Sequence, residues 1–235
     1  GDIIVEHNVE AGRLIAGGNV MIKKGSCSKN DCFIEAGGEV SGSFFEAANI
    51  NAEGNIRANY IMNSNINTLE KVIVSGSKGM LLGGITRAVK GVDTYNLGNK
   101  SNIKTVLDIG KNILYKKQQH VFAKRRGKIQ DELHMLEERW NSILQSLPPD
   151  KGQAAELIKR LNAAIVAKDK ELADLEAEVS KLDNMTGQEM KAVIVRGVAH
   201  AGSIVEINAI RYVLPSSMVR IIFKLRGKNV VMVKL

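Results

Sequence analysis

The chain has 235 residues, 44% hydrophobic but only 4% aromatic, with 22 glycines, 3 prolines and a formal net charge of +8. These values exclude a disordered low-complexity chain and leave room for one large domain or two smaller ones, with cores of Ile, Val, Leu and Ala. The charge is uneven: residues 1–110 hold 11 basic and 11 acidic side chains, residues 111–185 hold 14 and 12, and residues 186–235 hold 8 and 2. That balance admits an acidic partner such as nucleic acid, a membrane surface or an acidic protein, and selects none of them.

Glycine-centred repeats open the chain. They read Gly1-Asp2-Ile3, Gly18-Asn19-Val20, Gly38-Glu39-Val40, Gly54-Asn55-Ile56 and, more faintly, Glu70-Lys71-Val72, spaced by 17, 20, 16 and 16 residues. A second marker precedes the later units: Leu14-Ile15-Ala16, Ile34-Glu35-Ala36, Ile50-Asn51-Ala52 and Ile66-Asn67-Thr68. Units this short cannot bury a hydrophobic face alone and must stack, which predicts a β-helix, or β-solenoid, over 1–110. Strand alternation points Ile3 and Val5, or Val72 and Val74, inward. Asn49, Asn51, Asn55, Asn63, Asn65 and Asn67 are expected at corners, where Gly and Asn tolerate left-handed backbone, and in stacked polar ladders. A last alternating run over 103–109 ends at Gly110.

From Lys111 the period changes. Ile129, Leu133, Leu136, Trp140, Ile143 and Leu147 are spaced 4, 3, 4, 3, 4, a heptad seam. Counting back, Tyr115 and Phe122 share it, with Gln119 and Arg126 as polar interruptions. Pro148-Pro149-Asp150-Lys151-Gly152 stops the helix and turns the chain. A second seam follows at Ala154, Ile158, Leu161, Ile165, Lys168, Leu172, Leu175, Val179 and Leu182. Two heptad helices joined this tightly predict a long antiparallel coiled-coil hairpin over 111–185, with arms of roughly 55 and 45 Å. Strand patterns resume at 192–195, 204–207, 210–214, 219–225 and 230–235. A set this small has little room for its own core, so residues 186–235 are expected to continue or cap the solenoid. The fold class is mainly β with an α insertion.

A segment from Lys191 to Gly202, reading KAVIVRGVAHAG, closes the order of parts: glycine rungs, a heptad hairpin with a Pro-Pro turn, then strands again. That order, over essentially the whole chain, resembles the flagellar assembly protein A family, whose β-solenoid is similar to the C-terminal domain of the septum inhibitor MinC. The resemblance implies a bacterial, cytoplasmic protein acting in flagellar assembly or polar organisation through protein–protein contacts. It supplies no catalytic residues. Family members usually carry a further α/β domain before the solenoid. The chain starts at Gly1 on a repeat turn and lacks that domain, so it is expected to be a fragment.

Site candidates are sparse. Cys27 and Cys32 form a C-x4-C pair with no second pair to complete a metal site, and two cysteines favour a reducing cytoplasm. His7, His120, His134 and His200 are scattered over different elements. Glu6, Glu35, Glu39, Glu46, Glu53 and Glu70 spread over several rungs, which weakens a carbohydrate-active enzyme reading. No catalytic, cofactor or metal residue is assigned. No apolar run reaches 18 residues, so no membrane span is expected.

The basic run carries the most weight. Lys111, Lys116, Lys117, Lys124, Arg125, Arg126 and Lys128 precede any acidic residue of the helical segment, whereas 131–183 holds 12 acidic and 7 basic side chains. The arm therefore reads as basic at its root and acidic outward. The leading expectation is a non-enzymatic scaffold binding a protein partner through Lys116, Lys117, Lys124, Arg125, Arg126, Lys128 and Trp140. A solvated helix face, with Trp140 in the seam, is the competing reading. A nucleic-acid- or phosphate-binding module using the same root with Arg211, Arg220, Lys224, Arg226 and Lys228 is the alternative. It is weakened because Phe44, Phe45 and Tyr60 are the only close aromatic set. Open strand edges at the solenoid ends add self-association to the expectations.

Overall fold

A computed structural model describes residues 1–76, 79–110, 113–145, 151–187 and 191–235, with only the backbone described at 28–31, 113–114, 151–154, 182 and 184–187. Lys111 and the Pro148-Pro149 turn lie outside the described residues. The strands before the helices are β1 (Ile3–Val5), β2 (Gly12–Ala16), β3 (Val20–Ala36), β4 (Val40–Ala52), β5 (Ile56–Ala58), β6 (Tyr60–Thr68), β7 (Lys71–Val74), β8 (Met80–Ala88), β9 (Gly91–Thr94), β10 (Asn96–Leu97) and β11 (Thr105–Ile109). Helices α1 (Ile113–Gln145) and α2 (Lys151–Gly187) follow. The chain ends in β12 (Ala192–Ala199), β13 (Ile204–Ile207), β14 (Ile210–Val213), β15 (Met218–Arg226) and β16 (Asn229–Lys234). It divides into two compact units, one of Gly1–Lys116 with Met185–Leu235 and one of Lys117–Asn184.

The first unit is a β-solenoid of parallel rungs with three strand-bearing faces. On the first face, Ile3, Val20, Val40, Ile56, Val72, Val92 and Val193 stand in register, so the glycine repeats also mark the stacking period. The second marker does the same on the third face, aligning Leu14, Ile34, Ile50, Ile66, Thr86 and Leu107. Beyond the first rung these columns are almost wholly buried. Each such Ile or Val contributes roughly 1.5–3 kcal/mol through removal from water, which is what short rungs need to stay stacked. Val72 and Val74 point inward as expected, and Ile3 and Val5, in the end rung, are half-buried against the same core.

The Gly-Asx signature has a hydrogen-bonding cause. Asn19 donates its backbone N–H to Asp2 Oδ1 at 2.6 Å, Glu39 donates to Asn19 Oδ1 at 2.8 Å, and Lys71 donates to Asn55 Oδ1 at 3.2 Å. Each corner side chain thus satisfies the N–H of the equivalent residue one rung on. Asn63 is a corner in left-handed conformation, with φ 49°. Asn49, Asn51, Asn65 and Asn67 are not corners. They flank the inward Ile50 and Ile66 on β4 and β6, face outward, and form two ladders, Asn65–Asn49 at 3.1 Å and Asn67–Asn51 at 2.9 Å. The ladder expectation holds for these four, and the corner position does not.

The C-terminal strands return to the solenoid. β12 pairs parallel with β9, and β13 pairs parallel with β11. β15 and β16 extend the first face as antiparallel strands beyond β12, while β14 pairs antiparallel with β13. Phe223, Leu214 and Val230 bury themselves in the same core as the rungs. The helices are therefore an insertion in one β body.

In the second unit α1 and α2 pair antiparallel. Gln119 meets Asp183 at 3.3 Å, and Lys168 meets Glu132 at 2.7 Å, so α2 runs back along α1. Ile129, Leu133 and Leu175 form the buried seam, with Phe122, Ile165 and Leu172 packed against it. The described parts of α1 and α2, 33 and 37 residues, span about 50 and about 55 Å.

Candidate functional site

The predicted partner-binding residues all lie on α1, and helix geometry sorts them. Successive side chains rotate by about 100°, which puts Lys117, Lys124 and Lys128 in one sector roughly 40° wide. That sector points well away from the seam residues Phe122, Ile129 and Leu133. All three lysines are exposed, and no ion pair engages them among the described residues. The same sector carries Val121 and Met135, exposed to 53% and 67%. Two large apolar side chains therefore share one stripe with the three lysines.

The other basic residues have different surroundings. Arg125 turns toward α2, with its guanidinium 3.6 Å from Glu171 and 4.0 Å from Glu178. Arg126 is exposed beside the seam. Lys116 belongs to the solenoid unit, where burial raises the Asp108 carboxyl above its ordinary range while Arg87 and Lys116 pull it back down. Trp140 is half-buried on α1, neither free nor enclosed.

Antiparallel pairing also changes the charge map. The acidic 169–183 stretch lies along the basic half of α1, as the Gln119–Asp183 and Arg125–Glu178 contacts show. The arm is not basic at its root and acidic outward. It is basic over 116–128 of α1 and acidic on the facing part of α2. Farther along, Glu132, Met135, Leu136 and Arg139 of α1 line a groove of about 540 Å³ with Ala164, Ala167 and Lys168 of α2. Lys168, expected in the seam, has its ammonium pKa raised by its bonds to Glu132 and then Glu171.

On the solenoid, four of the six candidate groove carboxylates pair with cations of neighbouring rungs. Glu6 pairs with Lys23 at 2.8 Å, Glu39 with Arg57 at 3.0 Å, Glu70 with Lys90 at 2.7 Å and Glu35 with Arg13 at 4.0 Å. Of the aromatic set, Phe45 is fully buried, which leaves Phe44 and Tyr60 as outward neighbours in register. His7, His120 and His134 are exposed and His200 is half-buried; His120 and His134 share α1 rather than lying on different elements.

Cys27 is exposed and Cys32 buried, and the two are not joined in a disulfide. Among the described residues no cluster of three His, Cys, Asp or Glu side chains is placed to hold a metal. The Cys27 thiol donates to Glu46 Oε2 at 3.5 Å, and that carboxylate raises its pKa by hydrogen bonding and by charge. Glu46→Gln is therefore expected to speed alkylation of Cys27 by iodoacetamide at neutral pH, because more thiolate is present. Cys32 stays silent in the folded protein, so mass spectrometry reads Cys27 alone.

The family model described as the Flagellar Assembly Protein A beta solenoid domain matches residues 1–230. The chain belongs to the flagellar assembly protein A family. This makes it a flagellar-assembly-related protein, and the match spans rungs, helices and C-terminal strands alike. Neither the curated protein sequences nor the solved structures compared with this family member contain a match. No helix among its described residues is long and apolar enough to cross a membrane.

Proposed function

We propose that this flagellar assembly protein A family member is a non-enzymatic cytoplasmic scaffold whose helical arm docks an acidic protein of flagellar assembly or polar organisation. The observation that carries this reading is the stripe of Lys117, Val121, Lys124, Lys128 and Met135. Among the described residues its cations lack the ion-pair partners that Arg125 has, and Val121 and Met135 lie on the same stripe. Charge supplies orientation and fast encounter, and the apolar side chains supply the burial that holds a complex together. Division into a rigid body, 1–110 with 186–235, and a binding arm, 111–185, follows from that reading. Two cysteines that are not joined in a disulfide suit a reducing cytoplasm.

The test replaces Lys117, Lys124 and Lys128 together by glutamate in the full-length chain. Helix content is expected to be unchanged, since all three side chains are exposed and off the seam. Affinity capture from a flagellated bacterial lysate, compared by quantitative mass spectrometry, is expected to lose its main acidic protein partners at least tenfold. Recovery of the same proteins by the triple variant would remove the stripe from the function. Loss of nuclease-sensitive material instead would favour a phosphate-binding module.

A further inference from the structure

The last stretch of the chain is the most one-sided in charge. Residues 208–235 hold Arg211, Arg220, Lys224, Arg226, Lys228 and Lys234 and no aspartate or glutamate. No ion pair engages any of the six among the described residues, unlike Arg57, Lys90 and Arg196 of the rungs.

Strand register gathers four of these cations at one surface. On the inner side of the β15–β16 hairpin, Phe223 faces Met232 and Leu225 faces Val230, and all four pack in or against the solenoid core. Alternation turns their neighbours the other way. There Ile222 faces Val233, Lys224 faces Val231 and Arg226 faces Asn229. Lys228 is exposed in the turn that joins the strands, and Arg220 is exposed toward the far end of β15. Arg220 to Arg226 spans about 20 Å. Between the cations lie Ile222 and Val231, both half-buried, and Val233, exposed to 39%. β16 pairs with β15 alone, so no further strand borders the surface among the described residues.

We infer that the outer surface of β15–β16 docks peripherally on an anionic lipid bilayer. Its four cations complement acidic headgroups, and each Lys or Arg held near such a surface strengthens the attraction about fivefold. Ile222, Val231 and Val233 find apolar cover at the boundary between headgroups and acyl chains, which a purely phosphate ligand does not offer.

Nucleic acid matches this chemistry less well. Single-strand platforms stack bases on exposed aromatic rings. The two rings of this layer, Phe223 and Tyr212, pack in or against the core with centroids 6.1 Å apart. A protein partner also matches less well, because lysine is depleted from the cores of protein interfaces and aromatic side chains are enriched there. The outer surface of the hairpin carries two lysines and no aromatic residue.

The experiment co-sediments the whole chain with large vesicles of phosphatidylcholine containing about 30 mol% phosphatidylglycerol, and with vesicles of phosphatidylcholine alone. Wild type is expected to bind the anionic vesicles with half-saturation on the order of 1 mM lipid, the strength that four such cations supply, and to leave the neutral ones unbound. Lys224→Glu combined with Arg226→Glu is expected to raise the lipid required by at least about tenfold. Replacing Lys117, Lys124 and Lys128 by glutamate should change it by less than about twofold, since those side chains belong to a different unit. Failure of the lysine stripe and failure of this surface are therefore read separately.

A second measurement covers the case in which the charged pair unsettles β15. In a Cys27→Ser background, Val233→Cys is labelled with an environment-sensitive nitrobenzoxadiazole probe. Its emission is expected to shift to the blue on anionic vesicles, whereas the same probe at Asn65→Cys, on another face, stays unshifted. An unmoved probe at Val233→Cys, equal binding to neutral vesicles, or vesicle binding lost with the stripe variant but kept by Lys224→Glu with Arg226→Glu overturns the proposal. Tighter binding of a single-stranded DNA oligonucleotide at the same phosphate concentration, lost in that double variant, assigns the surface to nucleic acid and overturns it as well.

Discussion

Gly84→Val is expected to destabilise the solenoid by roughly 3 kcal/mol or more, and Gly127→Ala to stabilise the arm by about 0.5–1 kcal/mol. The contrast follows from what a Cβ meets at each position. Gly84 sits on β8 with φ +71°, and a Cβ there would lie 2.2 Å from the backbone oxygen of Ser64 and 2.8 Å from its nitrogen. Ser64 cannot retreat, because its hydroxyl accepts from Ala48 N–H at 3.1 Å and donates to Met62 O at 2.8 Å within the buried stack. Valine adds the cost of a left-handed branched residue, about 1–2 kcal/mol, to overpacking of about 1–3 kcal/mol. At Gly127, inside α1, a Cβ meets nothing within 4 Å. Only the entropic cost of helical glycine remains to be recovered there. Chemical denaturation followed at β- and helix-sensitive wavelengths separates the two. Equal small effects at both positions would mean that the rungs are not stacked as tightly as Gly84 requires.

Much of this architecture is legible in the sequence because a solenoid repeats its chemistry. The Ile or Val two residues after each repeat glycine marks an inward column, and Leu14, Ile34, Ile50 and Ile66 mark another, so the stacking register is written twice. The same alternation shows why the Asn49/Asn65 and Asn51/Asn67 ladders lie on strand faces: each pair flanks an inward isoleucine, Ile50 or Ile66. It also separates Phe45, buried, from its neighbour Phe44.

The site is less legible because it depends on what folds back against what. A linear count of charges puts 169–183 far from 116–128, yet antiparallel pairing brings these stretches side by side. Arg125 is thereby spoken for, while Lys117, Lys124 and Lys128, one helical face away, have no ion pair among the described residues.

Phe223→Ala carries the other large expected effect, a loss of about 3–5 kcal/mol, because a fully buried aromatic ring leaves a cavity that its surroundings only partly fill. The ring lies opposite Val193 on β12 and Met232 on β16, and 6.1 Å from the Tyr212 ring, centroid to centroid. Val193 in turn continues the column of Val92 and Val72. The C-terminal strands therefore share a core with rungs that precede the helices in sequence. Far-UV circular dichroism during denaturation is expected to show the strand signal losing stability as a whole, with β12 and the rungs beneath it melting together. Phe223→Leu, which keeps most of the volume, is expected to cost under about 1.5 kcal/mol. If Phe223→Ala instead splits the transition in two and leaves the later one at its original midpoint, residues 186–235 fold as a separate cap. The helical insertion would then join two β units rather than interrupt one.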